Sequence, residues 1–185
     1  GSFRYNAESR ARLREELGLG GKFVVGSVGR LAPEKNHAFL LEAFAKACEA
    51  RDDIALVIAG DGPLRDELEE KAARLGISGR TFFLGMRGDV ADLYQAMDLF
   101  AFPSRFEGLG LALVEAQASG LRCLASEAVP READAGGDVR FLPLDVAVWS
   151  GAIAAAEPYG RADMEAALAR NGYDIRRQMQ VIERE

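Results

Sequence analysis

Two carboxylates separated by seven residues, Glu107 and Glu115, carry the clearest chemical signal in this 185-residue chain. They lie in the run Phe102-Pro-Ser-Arg-Phe-Glu-Gly-Leu-Gly-Leu-Ala-Leu-Val-Glu115. The run begins as the end of an apolar strand, breaks at Pro103-Ser104 and resumes as an apolar helix predicted from about Leu109 to Ser119. The break places Gly108 and Gly110 at a helix N-terminus. Amides there have no intrahelical partner and sit at the positive end of the helix dipole, so the stretch Gly108, Leu109, Gly110, Leu111 offers a diphosphate main-chain donors. Glu115 falls in the second turn among Leu113, Val114, Ala116 and Ala118. An unpaired carboxylate is costly in such surroundings, so something must hydrogen-bond it. Two cations follow an earlier apolar run. Arg30, with a planar fork of donors, and Lys35, with a point charge, suit a leaving diphosphate and would do without a metal what a divalent ion does elsewhere. Each residue also has a plain reading: Arg30 and Lys35 as surface cations, Glu107 as a solvated loop acid, Glu115 as the buried partner of an arginine.

The elements that must position these groups alternate. Apolar runs at Phe23 to Val28, Ile54 to Ala59, Thr81 to Leu84, Leu99 to Phe102, Cys123 to Ser126 and Val139 to Leu142 read as strands buried on both faces. Helical patterns lie between them: Asn36 caps one running to about Ala50, Pro63 opens one ending near Leu75-Gly76, and Asp89 caps a short one through Ala96. Each strand is expected to be followed by a crossover helix. That order predicts an α/β fold, a Rossmann-like doubly wound and mostly parallel sheet with its binding crevice at the strand C-terminal ends. Gly29 to Lys35, Gly60 to Pro63, Gly85 and Ser104 to Gly110 all converge on that edge. Residues 1–21 read as a lead-in, with Gly1-Ser2 as a cloning remnant and a charged helix over Asn6 to Leu17. Residues 22–145 read as the core and 146–185 as C-terminal helices, over Trp149 to Ala156, Ala162 to Arg170 and Asp174 to Glu185.

Composition narrows the function further. The chain is 49% apolar with a net charge of -6, ordinary for one soluble domain and unfavourable for nonspecific binding to nucleic acid or an anionic membrane. Cys48 and Cys123 are too few for a disulfide framework and read as core residues of a reducing compartment, so a cytoplasmic location is expected. No run approaches the roughly 18 apolar residues of a membrane span. The glycines of Gly26-Ser-Val-Gly29 do not form a dinucleotide fingerprint, Gly21-Lys22 is no P-loop, and one histidine with two separated cysteines gives no zinc spacing. His37, that histidine, is expected as an exposed first-turn residue. Asp61 is expected to stabilise its own turn at least as much as to touch ligand, Asp52-Asp53 to form a solvated turn, and Arg105 either to reach phosphate or to solvate its loop.

The wording of four segments resembles one family. The Glu, seven residues, Glu signature is that of the GT-B glycosyltransferases often numbered family four. Val28-Gly-Arg-Leu-Ala-Pro-Glu-Lys-Asn36 resembles their phosphate-binding stretch, Ala59-Gly-Asp-Gly-Pro63 their Gly-x-Gly-Pro turn, and Phe83-Leu-Gly85 their base-binding strand end. With Ala116-Gln-Ala-Ser-Gly-Leu121 the resemblance covers roughly Phe23 to Asp145 in the family's order. The Glu-Ala-Gln-Ala wording, Pro130, Glu132 and Gly172-Tyr-Asp174 are most similar to the exopolysaccharide and capsule branch. Arg122 departs from the pattern, standing where Pro commonly follows Gly-Leu.

The resemblance implies the C-terminal, donor-binding domain of a retaining glycosyltransferase. Arg30 and Lys35 would neutralise the diphosphate, Glu107 would hold the donor sugar, and Glu115 would accept both ribose hydroxyls. Gly29 would line the phosphate turn, and main chain at Leu84, Gly85 and Met86 would meet the base. A nucleoside diphosphate sugar is the expected donor, with no cofactor and no metal, and the acceptor is expected to be a saccharide met through an N-terminal domain not contained in these residues. The longer protein is expected to be cytoplasmic or membrane-peripheral. Two other readings stand beside this one: a GT-B-like nucleotide-sugar epimerase, and a nucleotide-binding module without turnover.

Overall fold

The computed structural model describes residues 3–161 and Met164. In chain order these form α1 (Ala7–Glu16), β1 (Phe23–Val28), α2 (His37–Ala47), β2 (Ile54–Ala59), α3 (Arg65–Arg74), β3 (Thr81–Phe83), α4 (Val90–Ala96), β4 (Leu99–Phe102), α5 (Leu111–Ala118), β5 (Arg122–Ser126), β6 (Asp138–Leu142) and α6 (Val146–Ala154). The strands make one sheet in the order β3-β2-β1-β4-β5-β6, and every adjacent pair is parallel. The expected doubly wound sheet is therefore the one observed, with its topological switch between β1 and β4. The helices expected over 162–170 and 174–185 lie outside the described residues.

Strand alternation explains why helices cover both faces. Ile54, Leu56 and Ile58 of β2 join one buried cluster with Leu40, Leu41 and Phe44 of α2, Leu68 of α3, and Trp149 and Ile153 of α6. Ala55, Val57 and Ala59 face the other, with Leu13 of α1, Leu93 and Tyr94 of α4, and Leu113 and Ala116 of α5. A period-two strand apolar at every position has to be covered twice. Each large aliphatic side chain so buried contributes roughly 2 kcal/mol.

The expected crossover helix is missing between β5 and β6, where only a single 3-10 turn, Arg131–Ala133, intervenes. Gln117 of α5, fully buried, takes over its structural part. Its amide donates to the Ala133 and Leu113 carbonyls at 2.7 and 3.0 Å, and its carbonyl accepts from the Ala135 and Gly137 amides at 2.8 and 3.3 Å. The loop's main-chain groups are thus satisfied by a side chain instead of by helix geometry.

Arg122 at the head of β5 donates its amide to the Tyr159 hydroxyl at 2.5 Å, and its guanidinium lies 4.0 Å from that ring's centroid. Proline, lacking the N–H, could not make the first contact. No helix among the described residues is long and apolar enough to cross a membrane.

Candidate functional site

Because all strands run one way, the loops after β1, β2, β3 and β4 share an edge, and main-chain bonds fasten them together. The Gly29 amide donates to Ala59 at 3.0 Å, Leu31 to Asp61 at 2.9 Å, Leu64 to Leu31 at 3.1 Å, and Gly60 to Gly85 at 2.8 Å. Such close approach leaves no room for side chains: a Cβ on Gly60 would stand 1.9 Å from the Gly29 carbonyl, and one on Gly62 would stand 2.5 Å from that of Leu31. The Gly-Asp-Gly-Pro turn therefore has a packing role, and Asp61 stabilises it locally, accepting from the Gly62 amide at 2.8 Å.

The loops flanking the switch point are joined separately. Asn36 does not cap α2 with its side chain as expected. It adopts a left-handed conformation, φ 57° and ψ 35°, which aims its amide away from the helix and into the Pro103 carbonyl at 3.2 Å. Asparagine tolerates that region better than most residues, and its use at a loop junction is a local strain held by surroundings. The Arg105 amide adds a second tie, to the Glu34 carbonyl at 2.8 Å. The left-handed turn also folds the start of α2 against the end of β1. His37, expected in solvent, is consequently buried, its Nε2 3.4 Å from the Ser27 hydroxyl. Burial, reinforced by the charge of Lys35, lowers its pKa to about 4, so the ring is neutral near pH 7.

Lys35 and Glu107 meet across this junction, Nζ to Oε1 at 2.5 Å, with side chains 23% and 8% exposed. The Lys35 ammonium also stands 5.5 Å from the centroid of the Phe102 ring. Glu107 is accordingly not the solvated acid of the plain reading. Arg30 is exposed beside the same turn.

Gly110 occupies the N-cap of α5 in a left-handed conformation, φ 68°. It has no side chain to cap the helix, and no acidic residue lies in the first turn. The positive end of α5 is left open at the strand edge. Nothing lies within 4 Å of a Cβ built on Gly108, so the protein's own packing does not require glycine there. Beside this end Phe106, Leu109 and Leu111 are exposed, Phe106 at 74%, and Met86 after β3 is exposed at 84%.

The partner demanded by Glu115 is Tyr94 of α4. The fully buried phenol donates to Glu115 Oε2 at 2.9 Å and lies 3.2 Å from the Ala112 carbonyl. Burial raises the Glu115 pKa against the opposing pull of the phenol, and burial raises that of Tyr94 well above the usual value, which keeps the phenol a donor. Sequence had no means of finding Tyr94, because a tyrosine on the apolar face of a helix reads as core. Asp89, expected to cap α4, makes no cap bond. Arg87 two residues back pairs with both its oxygens, at 2.7 and 2.6 Å.

At the third strand end, the Leu84 amide donates to the Ile58 carbonyl at 2.9 Å and the Gly85 carbonyl accepts from the Gly60 amide, so any base contact by this stretch falls to its remaining main-chain groups. Arg65 of α3, not anticipated from sequence, reaches the same corner, its Nη1 3.2 Å from where a Gly85 Cβ would stand. Among the described residues no three His, Cys, Asp or Glu side chains cluster to hold a metal ion. Asp52 and Asp53 are tied instead to Arg80 and Arg51.

An open helix end, a paired lysine and two carboxylates thus lie beside the switch point of a parallel, Rossmann-like sheet of the GT-B kind. Residues 9–135 match the family described as glycosyl transferases group 1, and the chain belongs to that family. It is 42% identical over 159 residues to EpsF of Bacillus subtilis (strain 168), a protein provisionally named a glycosyltransferase, covering 83% of this chain and 41% of that one. It is 38% identical over 126 residues to the Escherichia coli UDP-Gal:alpha-D-GlcNAc-diphosphoundecaprenol alpha-1,3-galactosyltransferase, covering 65% of this chain and 32% of the relative. The chain thus spans about two fifths or less of these relatives. Among solved structures, Anabaena HepE in complex with UDP and glucose superposes with a TM-score of 0.72 at 26% identity, covering 98% of this chain and 53% of HepE. The C-terminal domain of the group 1 protein LpcC from Francisella tularensis superposes with a TM-score of 0.67 at 26% identity over 92% of both chains.

Proposed function

We propose that this chain is the donor-binding domain of a retaining glycosyltransferase that moves a sugar from a nucleoside diphosphate sugar to a saccharide acceptor, in exopolysaccharide or cell-envelope glycan synthesis. The observation that carries the reading is the Lys35–Glu107 pair at the mouth of the open α5 N-terminus. A diphosphate seated there would meet the amides of Leu111 and Ala112, the Lys35 ammonium and the Arg30 fork, and the negative charge gained by the leaving group would be neutralised without a metal. Lys35 released to phosphate frees Glu107 to accept from a sugar hydroxyl. Glu115, one to two turns along α5, accepts from the ribose.

The relatives support a nucleotide sugar as donor: HepE is solved with UDP and with UDP-glucose, and the Escherichia coli relative is named for UDP-Gal. Retention and the glycan pathway come from the family resemblance alone. The acceptor would be bound by an N-terminal domain across the cleft, as expected for a chain spanning two fifths of its relatives.

Calorimetric titration of the chain with UDP, GDP and ADP tests this. At least one should bind in the micromolar to millimolar range. Lys35→Ala and Arg30→Ala should each weaken that diphosphate by about tenfold or more, as for a charged hydrogen-bond partner, while sparing the nucleoside. Equal losses for nucleoside and diphosphate would refute the phosphate assignment.

A further inference from the structure

We propose that Tyr94 is a positioning residue of the nucleotide site, its hydroxyl fixing one oxygen of the Glu115 carboxylate so that the other is presented to the ribose hydroxyls. The inference rests on the reading of Glu115 as the ribose acceptor. A phenol has one proton to give, and of its two acceptors Glu115 Oε2 at 2.9 Å is both nearer and charged, against 3.2 Å for the Ala112 carbonyl. Among the described residues no other side chain is seen to bond this carboxylate, and its neighbours on α5 are apolar.

The identity of the partner matters chemically. An arginine in the same place would take both oxygens in a fork and cancel the charge, leaving the ligand little to bind. A tyrosine occupies one of about four lone-pair positions, keeps the net charge, and leaves Oε1 for the ligand.

The phenol is also held firmly. Phe100 packs edge-on to its ring at 5.6 Å and 69°, and Phe3 lies tilted against it at 6.0 Å and 54°. The carbonyls that end α4 are gripped from below: Arg10 donates to Gln95 and Met97 at 3.0 and 2.9 Å, Arg14 to Ala96 at 2.9 Å, and Arg161 to Tyr94 itself at 3.0 Å. A donor on so fixed an element sets the carboxylate plane before ligand arrives.

The test compares binding of UDP and of 2′,3′-dideoxy-UDP to the native chain, Tyr94→Phe, Glu115→Gln and the double variant, with thermal unfolding of each. The native chain should prefer UDP by about 10-fold or more, as for hydrogen bonds to a charged group. Tyr94→Phe, still folded, should lose at least about threefold of that preference. Glu115→Gln should abolish the preference, and adding Tyr94→Phe to it should change nothing further. An unaltered preference in Tyr94→Phe beside a collapsed one in Glu115→Gln would overturn the positioning role and leave the ribose role standing. A native-like preference in Glu115→Gln would remove both. Should Tyr94→Phe not fold, the Tyr94 hydroxyl proton resonance of the native chain decides: UDP must shift it and the dideoxy analogue must not, and an unmoved resonance at UDP saturation overturns the proposal.

Discussion

Lys35 and Glu107, 72 residues apart in sequence, form an ion pair at 2.5 Å that bridges the two loops flanking the switch between β1 and β4. The ammonium proposed to receive a diphosphate is thereby engaged by a carboxylate proposed to receive a sugar.

Glu107→Gln should therefore tighten binding of a nucleoside diphosphate, by up to about tenfold, because Lys35 no longer has to leave an anion to meet phosphate. The same change should weaken a sugar-bearing donor relative to the bare diphosphate. In a Lys35→Met background the gain should vanish. Calorimetry with UDP and UDP-glucose across the four proteins measures this, and weaker UDP binding by Glu107→Gln alone would contradict the exchange.

Chelation should leave diphosphate binding intact. The charge balance proposed for the site uses two cations and helix amides. UDP affinity measured with and without excess EDTA should agree within about twofold, close to the error of a few tenths of a kcal/mol. Loss of binding on removal of divalent ions would require a different site.

His37 makes a specific contribution to acid sensitivity. Its folded pKa, about 4, lies below the ordinary 6.5, so the unfolded chain binds its proton first as pH falls. Its contribution to stability is fully present above about pH 6.5 and is lost as pH falls to about 4, by up to roughly 3 kcal/mol. His37→Gln should flatten the stability profile between those limits, as read from denaturant midpoints at successive pH values. An unchanged acid limb would mean that His37 is not buried neutral.

Asp98 should be the most sensitive charge away from the site. It accepts from the Val24 amide at 2.7 Å and from Arg10 and Arg14 at 2.5 and 3.0 Å, joining α1, β1 and the end of α4. Asp98→Ala leaves two half-buried guanidinium groups without their counterion and should cost about 3 kcal/mol. A midpoint shift equivalent to less than about 0.5 kcal/mol would show that water takes the place of the carboxylate.

What could be read from the sequence follows from what is local. The strands, the helix break at Gly108–Gly110 and the gathering of four loops at one edge were legible because apolar runs, glycines and element order fix them. The need for a partner at Glu115 was legible too. Its supplier was not, since Tyr94 meets Glu115 only once α4 and α5 pack on one face of the sheet. His37 was misplaced for a related reason: Asn36 suits both a cap and a left-handed turn, and only the Pro103 carbonyl across the junction selects the second. The β5 to β6 crossing was misread because Gln117, near the C-terminal end of α5, stands in for a helix from another element. Lys35 and Glu107 were each found singly, but nothing in their spacing shows that they touch.

The main-chain ladder joining Gly29, Leu31, Gly60 and Gly85 has a consequence for how such a domain can change over time. The platform is fastened by backbone groups, to which most side-chain replacements are invisible, whereas Met86, Arg65 and Phe106 stand at its margin without being part of the fastening. Substitutions at those three can be sampled without loosening the scaffold. A lineage could thus trade one ligand for another by small steps at the margin, each intermediate remaining folded, while Gly60 and Gly62 stay fixed by the carbonyls pressed against them.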